Sequence, residues 1–306
     1  MKAVKSFEML LAQLKESKVK KSVAVVCGID SHSEFAITKA IQSGFAEFIM
    51  VGDKKAVEDY EVFKSHPEAV SFVEASSPGR AAELAVSLVK EGRADVLMKG
   101  IINTDDLLRA ILNKERGILP KGRVLTHLAA VEMPSYPKLL FFTDAAVIPY
   151  PTLEQRVAML EYMSDTCNRF GVQAPRIALI HCTEKVHPMF PHSVDYVELK
   201  KMAAKGYFGS TLLDGPMDVY TACDIESGSM KGIDSVIDGQ ADGLMFPNIE
   251  SANVFYKTIT LFSNADIAAV LQGTLCPVVI TSRSDSGLTK FYSLALACLT
   301  SSTNLN

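Results

Sequence analysis

The sequence predicts an α/β protein with two domains, each built around a mostly parallel sheet. Apolar runs of strand length alternate with amphipathic stretches of helix length along most of the chain, which is the pattern of βα units. The 306 residues exceed the size at which single hydrophobic cores stop growing, roughly 250 to 300 residues. A content of 48% hydrophobic and 22% charged residues is that of an ordinary globular protein.

The first part of the chain is predicted to hold an N-terminal amphipathic helix followed by alternating strands and helices. After the strand SVAVVCG, the residues SHSE match a capping box in which Ser31 caps a helix and Glu34 reaches back to the cap. The next elements are the strand EFIMVGD, a helix over residues 78–91, the strand ADVLMKG and a helix that begins at Thr104.

A segment rich in glycine, proline and basic residues, RGILPKGR at residues 116–123, interrupts this alternation and predicts a domain boundary. Beyond it the pattern resumes with the strands KLLFFTDAAV, RIALIHCTE, STLLDGPM and ADGLMFPN, and with helices over VDYVELKKMAAK and SANVFYKTITLFSNA. The last strand and helix, residues 277–300, fit either domain on this pattern alone.

Composition and missing signatures argue against several function classes. The net charge of −4 comes with no basic stripe, so nucleic acid and anionic membranes are not expected partners. No apolar run reaches the ~18 residues of a membrane span. Six cysteines without a C-x-x-C pair predict reduced thiols in a cytoplasmic protein. The absence of G-x-G-x-x-G and of G-x-x-x-x-G-K-[ST] argues against nucleotide kinases and typical Rossmann enzymes.

The segment HCTEKVHPMFPH holds His181, Cys182, His187 and His192, which are of the residue types that bind metals. Its prolines and uneven spacing argue against a metal site, and histidines of a loop or cleft are the alternative. We therefore predict that the protein binds no metal.

In MKGIINTDDLLRAIL, a polar segment separates a strand from a helix. Lys99 and Gly100 end the strand, and Thr104 begins a helix whose amides point toward that strand end, a place that anions favour. Arg109 lies off the apolar stripe of this helix. It either reaches a cleft or is a solvated arginine.

In TSRSDSGLTK, the polar residues after a strand have two interpretations. The serines and Asp285 either cap the next helix or accompany Arg283 at a ligand site, because open α/β sheets bind ligands at the carboxyl ends of strands. Two further segments carry weaker signals, a turn beside a carboxylate and two polar residues four apart on one helix face. Their residues are Asp214, Gly215 and Pro216, and Asn253 and Lys257.

Taken in order, MKGIINTDDLLRAIL, LLDGPM, ADGLMFPNIESANVFYK, LQGTLCPVVITSRSDS and the last helix resemble the phosphate acetyl/butyryltransferase family over most of the chain. The length and the TSR-x-DS phrase resemble the phosphate butyryltransferase branch more than the acetyl branch. The resemblance implies reversible transfer of a short-chain acyl group, butyryl above all, from coenzyme A to inorganic phosphate. No bound cofactor is implied.

The resemblance also implies a fold and an assembly. Two α/β domains with mostly parallel sheets and an interdomain cleft are expected, in an isocitrate/isopropylmalate dehydrogenase-like arrangement. The first domain is expected to comprise residues 1–121 plus 272–306, and the second residues 122–271. A cytoplasmic homodimer is expected.

The same resemblance implies roles for individual residues. Ser282 and Arg283 are expected to stabilise the reacting thioester and phosphate, since a guanidinium suits a pair of phosphate oxygens. Arg109 is expected to hold phosphate. Asp285 is the nearest carboxylate that could deprotonate coenzyme A. The implied substrate-binding residues are Lys99, Gly100, Thr104, Arg109, Asp214, Gly215, Pro216, Asn253 and Lys257.

Two departures from the family pattern leave alternatives open. The acetyl branch has an aspartate one turn into the helix after its Ser-Arg pair, where this sequence has Thr289 and Lys290. Tyr220 stands where the family usually has aspartate, which fits either a reshaped acyl pocket or a relative with changed activity. Together they admit a non-catalytic acyl-CoA-binding relative. A metal-dependent NAD(P) oxidoreductase of isocitrate/isopropylmalate dehydrogenase type is the main rival, although it needs clustered aspartates that the sequence does not place at a strand end.

Overall fold

The structure is a computed structural model that describes residues 2–56, 60–281 and 285–301. The chain forms two compact units. The flanking unit consists of Phe7–Leu125 and Asp266–Asn306, and the central unit consists of Met1–Ser6 and Thr126–Ala265. The division into domains at residues 121/122 and 271/272 stays a prediction.

The described residues form eleven strands and eleven α-helices. The strands are β1 (Lys21–Val26), β2 (Ala46–Gly52), β3 (Val70–Glu74), β4 (Val96–Lys99), β5 (Thr126–Glu132), β6 (Leu140–Thr143), β7 (Arg176–Ile180), β8 (Leu212–Met217), β9 (Gly243–Met245), β10 (Asp266–Gln272) and β11 (Val278–Val279). The helices are α1 (Phe7–Ser17), α2 (Ser31–Ser43), α3 (Glu61–Ser65), α4 (Pro78–Lys90), α5 (Thr104–Ile111), α6 (Leu153–Arg169), α7 (Pro191–Ala204), α8 (Val219–Cys223), α9 (Ile225–Met230), α10 (Ile249–Phe262) and α11 (Gly287–Thr300).

The strands of the flanking unit lie in the order β3-β2-β1-β4-β11-β10. The first five run parallel, and β10 runs antiparallel to β11. Val23 to Val26 of β1 have no exposed surface, as expected for a parallel strand covered on both faces. Helix α11 packs against α2, and Tyr292 of α11 stacks on Phe7 of α1 with ring centroids 4.4 Å apart. The last strand and helix therefore belong to the flanking unit.

The strands of the central unit lie in the order β5-β6-β9-β7-β8. Strands β5 and β6 are antiparallel, and the other neighbours are parallel. Phe142 of β6 lies fully buried with its ring edge-on to Phe255 of α10, at a centroid distance of 5.3 Å. A capping box begins α6, in which Thr152 accepts from the Gln155 amide and the Gln155 side chain accepts from the Thr152 amide.

The predicted cap of α2 is wrong by one residue. Asp30, not Ser31, caps the helix by accepting a hydrogen bond from the Ser33 amide at 2.7 Å. Glu34 does not reach back to the cap, because its carboxylate accepts from the Val62 amide at 3.4 Å. The capping-box pattern covers only neighbouring residues. It does not include Lys290, which holds the Asp30 carboxylate from the other end of the chain.

Two further properties follow from the described residues. None of the helices within the described ranges is both long and apolar enough to cross a membrane. All six cysteines are free thiols, and Cys167, Cys276 and Cys298 are buried.

Candidate active site

A cavity of 430 Å³ lies in the flanking unit where three parallel strands end. Strands β1, β4 and β11 are neighbours in the sheet, so their carboxyl ends share one edge, which is where open α/β sheets bind ligands. Each strand contributes through the segment that follows it. The lining residues are Asp30, Ser31, His32, Ser33, Lys99, Gly100, Ile101, Thr281 and Lys290.

An ion pair joins two helices at this cavity. The Lys290 ammonium of α11 donates to both carboxylate oxygens of Asp30, the cap of α2, at 2.8 Å, and to the Ser33 hydroxyl at 3.0 Å. Burial of the Asp30 carboxylate raises its pKa, but hydrogen bonds from Lys290 and Ser33 outweigh this and lower the pKa to about 2. The Asp30 carboxylate is therefore ionised at neutral pH.

A histidine bridges the same two helix starts. The Nδ1 atom of His32, in the first turn of α2, lies 2.9 Å from the carbonyl oxygen of Asp285, just before α11. A carbonyl oxygen only accepts hydrogen bonds, so Nδ1 carries the proton of this bond. The His32 side chain is exposed and lines the cavity.

Two glycines permit the close approach of these segments. A Cβ atom at Gly100 would overlap the carbonyl oxygens of Gly28 and Val26, which belong to the loop and the strand beside it. A Cβ atom at Gly287 would lie 2.6 Å from the ring of Phe35, where the first turn of α11 meets α2. A side chain at Gly100 would push apart the backbone that frames the cavity, and one at Gly287 would displace the Phe35 ring.

The polar segment before α11 is divided between described and undescribed residues. Ser282 and Arg283 lie outside the described residues. Ser286 is the cap of α11, and its hydroxyl accepts from the Thr289 amide at 3.1 Å. The cap is thus a serine, as one of the two interpretations of this segment requires, and Asp285 is not the cap.

The structure brings Lys99 and Gly100 to the cavity with Asp30, His32 and Lys290, but it places Arg109 elsewhere. Thr104 begins α5 as predicted, and Arg109 lies on the exposed face of that helix, with its side chain 76% exposed and Nη1 2.9 Å from Asp106. Arg109 lines a second cavity of 630 Å³ between α4 and α5, together with Arg80, Lys90 and Arg116.

In the central unit, the predicted Asp214 lies on β8 and is held by three donors. Its carboxylate lies 2.5 Å from the Lys200 ammonium, and it accepts from the Ser235 hydroxyl at 2.7 Å and from the Gly215 amide at 2.8 Å. Burial raises the pKa of Asp214, but these hydrogen bonds outweigh it and the pKa is lowered. Gly215 and Pro216 are buried beside it.

The other two predicted residues of the central unit lie on one exposed face of α10. The Asn253 amide donates to the Ala145 carbonyl at 3.0 Å, which ties α10 to the loop after β6. The Lys257 ammonium lies 4.6 Å from the centroid of the Tyr256 ring, within cation–π range. Asp144, in the loop that Asn253 contacts, is buried and accepts from four donors, the Thr126 hydroxyl among them.

The histidine-rich segment forms a pair of rings rather than a cluster of metal ligands. His181 Nδ1 lies 3.0 Å from His192 Nε2. Burial lowers the pKa of both rings, and the neighbouring His181 and Arg156 help to lower that of His192 to about 4. Across the described ranges, no three or more His, Cys, Asp or Glu side chains are grouped so that they could hold a metal ion.

The sequence matches the family described as "Phosphate acetyl/butaryl transferase" over residues 73–298, most of the chain. The chain belongs to this family. A phosphate butyryltransferase from Clostridium beijerinckii is 38% identical over 303 residues, 98% of this chain and 99% of the relative. The family resemblance that the sequence motifs indicate is confirmed.

Solved structures of phosphotransacylases superpose on the chain. A branched-chain phosphotransacylase from Enterococcus faecalis has a TM-score of 0.81 and 31% identity, and covers 92% of this chain and 100% of its own. A phosphotransacetylase from Streptococcus pyogenes has a TM-score of 0.80 at 20% identity, and covers 97% and 99%. At that identity the second match shows the fold alone.

These matches correct one prediction and support another. The α/β class with a mostly parallel sheet fits, but the isocitrate/isopropylmalate dehydrogenase-like assignment is wrong, since the fold is that of the phosphotransacylases. Alternation of strands and helices predicts the layers of an α/β protein, and many α/β folds share it. It does not determine the order of strands in the sheet, which distinguishes one such fold from another.

Three ionisable cavity residues of this phosphate acetyl/butyryltransferase family member were absent from the sequence-predicted site. Asp30, His32 and Lys290 line the cavity, whereas the predicted residues of this unit follow β4 and β11 or lie on α5. The signal was present, because GIDSHSE after β1 is a polar segment between a buried strand and a helix, like TSRSDSG after β11. Tyr220, which stands where the family usually has aspartate, is 74% exposed on α8.

Proposed function

We propose that this protein catalyses the reversible transfer of a short-chain acyl group, butyryl above all, between coenzyme A and inorganic phosphate. The observation that carries the proposal is the match to the family over residues 73–298 on a chain whose parallel strands end in a cavity lined by cationic groups. The products in one direction are an acyl phosphate and free coenzyme A. Family membership favours this reaction over the oxidoreductase alternative.

Acyl transfer to phosphate requires hydrogen-bond donors in fixed positions around the reacting carbonyl oxygen. A phosphate oxygen attacks the thioester carbonyl, negative charge gathers on the carbonyl oxygen, and the C–S bond then breaks to release the thiolate. Donors that already face the developing charge lower the barrier. In the cavity, Lys99 supplies an ammonium group, and the first turns of α2 and α11 begin beside it.

Roles for the remaining predicted residues follow from the family resemblance. Ser282 and Arg283 stabilise the transition state, and Asp285 lies in the same segment. Arg109 holds phosphate. The other substrate-binding residues in this proposal are Lys99, Gly100, Thr104, Asp214, Gly215, Pro216, Asn253 and Lys257. The protein acts in the cytoplasm as a homodimer, without a bound cofactor.

The test is a thiol-release assay with a panel of acyl-CoA thioesters, each measured with and without inorganic phosphate. We expect phosphate-dependent release of coenzyme A, fastest with butyryl-CoA, and formation of the matching acyl phosphate, detected by its reaction with hydroxylamine. Release that is independent of phosphate would identify a hydrolase. Binding of acyl-CoA without release would support the non-catalytic relative, which the departures from the family pattern at Tyr220 and at Thr289 and Lys290 admit.

A further inference from the structure

We propose that His32 is the acid–base residue of the reaction, which takes the proton of the coenzyme A thiol and passes it to phosphate. The inference rests on the proposed function and adds a residue to it. Histidine is the side chain that exchanges a proton most readily near neutral pH, and it is the commonest general base in enzymes. Among the described residues that line the cavity of the flanking unit, His32 is the only histidine.

The hydrogen bond of His32 determines which ring nitrogen is the base. Nδ1 donates to the Asp285 carbonyl oxygen at 2.9 Å, so in the neutral ring the lone pair is on Nε2. The same bond holds the ring in place between α2 and the segment before α11. A positioned ring with a defined tautomer is what proton transfer to or from a substrate requires.

The other ionisable groups that line the cavity are unsuited to take the proton. The Asp30 carboxylate accepts from Lys290 and Ser33, and a pKa of about 2 makes it a weak base. The Lys290 ammonium directs hydrogen bonds to Asp30 and Ser33. The Lys99 ammonium is a donor, 3.4 Å from the Gly100 carbonyl oxygen. Among the described residues that line the cavity, none of these groups offers a lone pair equivalent to Nε2. Asp285, the base that the family resemblance implies, meets His32 through its carbonyl oxygen and is not among those lining residues.

The proton balance is complete without a further reactant. In the direction that makes the thioester, Nε2 takes the S–H proton and the sulfur electron pair forms the C–S bond. The C–O bond to phosphate then breaks, its electron pair stays on the phosphate oxygen, and the imidazolium returns its proton to give HPO₄²⁻. In the opposite direction each transfer is reversed, and the proton of HPO₄²⁻ ends on the thiol of coenzyme A.

Two substitutions separate this role from a structural one. His32→Asn keeps a side-chain amide near the position of Nδ1 that can donate to the Asp285 carbonyl, but removes Nε2. His32→Ala removes both nitrogens. His66→Ala is the matched control, since His66 lies in the same unit, outside the cavity and beside Glu68. We expect both His32 variants to lose about 100- to 10,000-fold in turnover with a melting temperature near that of the wild type, and His66→Ala to keep its turnover.

Added imidazole supplies the decisive readout. If His32 transfers the proton, imidazole restores part of the turnover of His32→Ala, and does nothing for His66→Ala. A His32→Asn protein with wild-type turnover would overturn the proposal, because the hydrogen bond to Asp285 would then suffice. Loss of turnover with no response to imidazole contradicts it too. If the wild type shows no phosphate-dependent thiol release, the proposed function itself is overturned. If the wild type and His32→Asn are both fully active, only the role of His32 is overturned.

Discussion

Lys290 and Asp30 are 260 positions apart in the chain, yet the Lys290 ammonium lies 2.8 Å from both carboxylate oxygens of Asp30. The two partners differ in their access to water. The Lys290 side chain is 3% exposed, whereas that of Asp30 is 40% exposed. Loss of the Asp30 carboxylate therefore leaves the buried Lys290 ammonium without its ionic partner, whereas loss of the ammonium leaves a carboxylate that water can reach.

We expect Asp30→Asn to destabilise the protein more than Lys290→Met. Asparagine still caps α2, so the variant isolates the loss of charge, and leaving a buried ammonium unpaired costs about 3 kcal/mol. Methionine fills much of the space of the lysine chain and leaves a partly hydrated carboxylate. The free energies of unfolding in urea test this order. Equal losses of unfolding free energy, or a larger loss for Lys290→Met, would contradict the prediction that the unpaired ammonium costs more than the unpaired carboxylate.

The stability difference between wild type and Asp30→Asn is expected to shrink in acid. Asp30 has a pKa of about 2 when folded, below the ~3.9 of an unfolded aspartate, so its contribution is present above the unfolded value and is lost as the pH falls toward the folded one. Asp214, whose pKa is also lowered, is common to both proteins and cancels. Unfolding curves at several pH values from about 5 to about 2 measure the difference. A constant difference over this range would show that Lys290 does not lower the pKa.

Gly100→Ala is expected to destabilise the protein by about 1–3 kcal/mol, because the new Cβ overlaps two backbone carbonyl oxygens. Gly79→Ala is the matched control. It lies in the first turn of α4 with no atom within 4 Å of the added Cβ, and is expected to be neutral or to stabilise by up to ~1 kcal/mol. Thermal melts compare them. Similar melting temperatures would mean that the strand end after β4 adapts easily.

Arg283→Lys is expected to fold normally and to lose about 100- to 1,000-fold in turnover, because lysine keeps the charge but lacks the planar two-donor fork. Ser286→Ala is the comparison from the same segment. It removes the acceptor of the Thr289 amide and is expected to lower stability by about 1 kcal/mol while leaving turnover largely intact. An Arg283→Lys protein that melts early and keeps its rate per molecule would assign a structural role to this arginine.

Arg109→Ala is expected to weaken phosphate use, since a lost charge-assisted hydrogen bond of about 1.5–3 kcal/mol corresponds to a rise of roughly 10- to 160-fold in the KM for phosphate. Arg80→Ala is the control, because Arg80 lines the same cavity and pairs with Glu83 at 2.9 Å as Arg109 pairs with Asp106. Unchanged phosphate dependence in Arg109→Ala, or an equal rise in both variants, would leave Arg109 as a solvated arginine.

Local features of the fold were predictable, since they depend on neighbouring residues. The start of α5 at Thr104 follows from helix-start patterns and is confirmed, and Ser286 provides the cap that one of the two interpretations of its segment required. Strands β3, β5 and β10 were not predicted. The cores of β5 and β10, LAAV and IAAVL, are rich in alanine, which favours helices, and only pairing and burial in the sheets make them strands.

The cavity was predictable in part. Lys99 and Gly100 follow a strand in the sequence, so a strand-end rule finds them. The side chains that complete the cavity, Asp30, His32 and Lys290, meet only because β1, β4 and β11 are neighbours in the sheet. No local sequence pattern shows that these strands are neighbours, because they come from distant parts of the chain.

The position of β11 between β4 and β10 has a consequence for the order of synthesis. Roughly 180 residues separate β4 from β11, and a ribosome that adds 5 to 20 residues per second needs roughly 10 to 40 s to make them. Until then the β4 edge shows unpaired backbone groups, which can pair with strands of other chains. Nascent chains stalled within the central unit would carry this open edge, and it is there that a holding chaperone would protect them from aggregation.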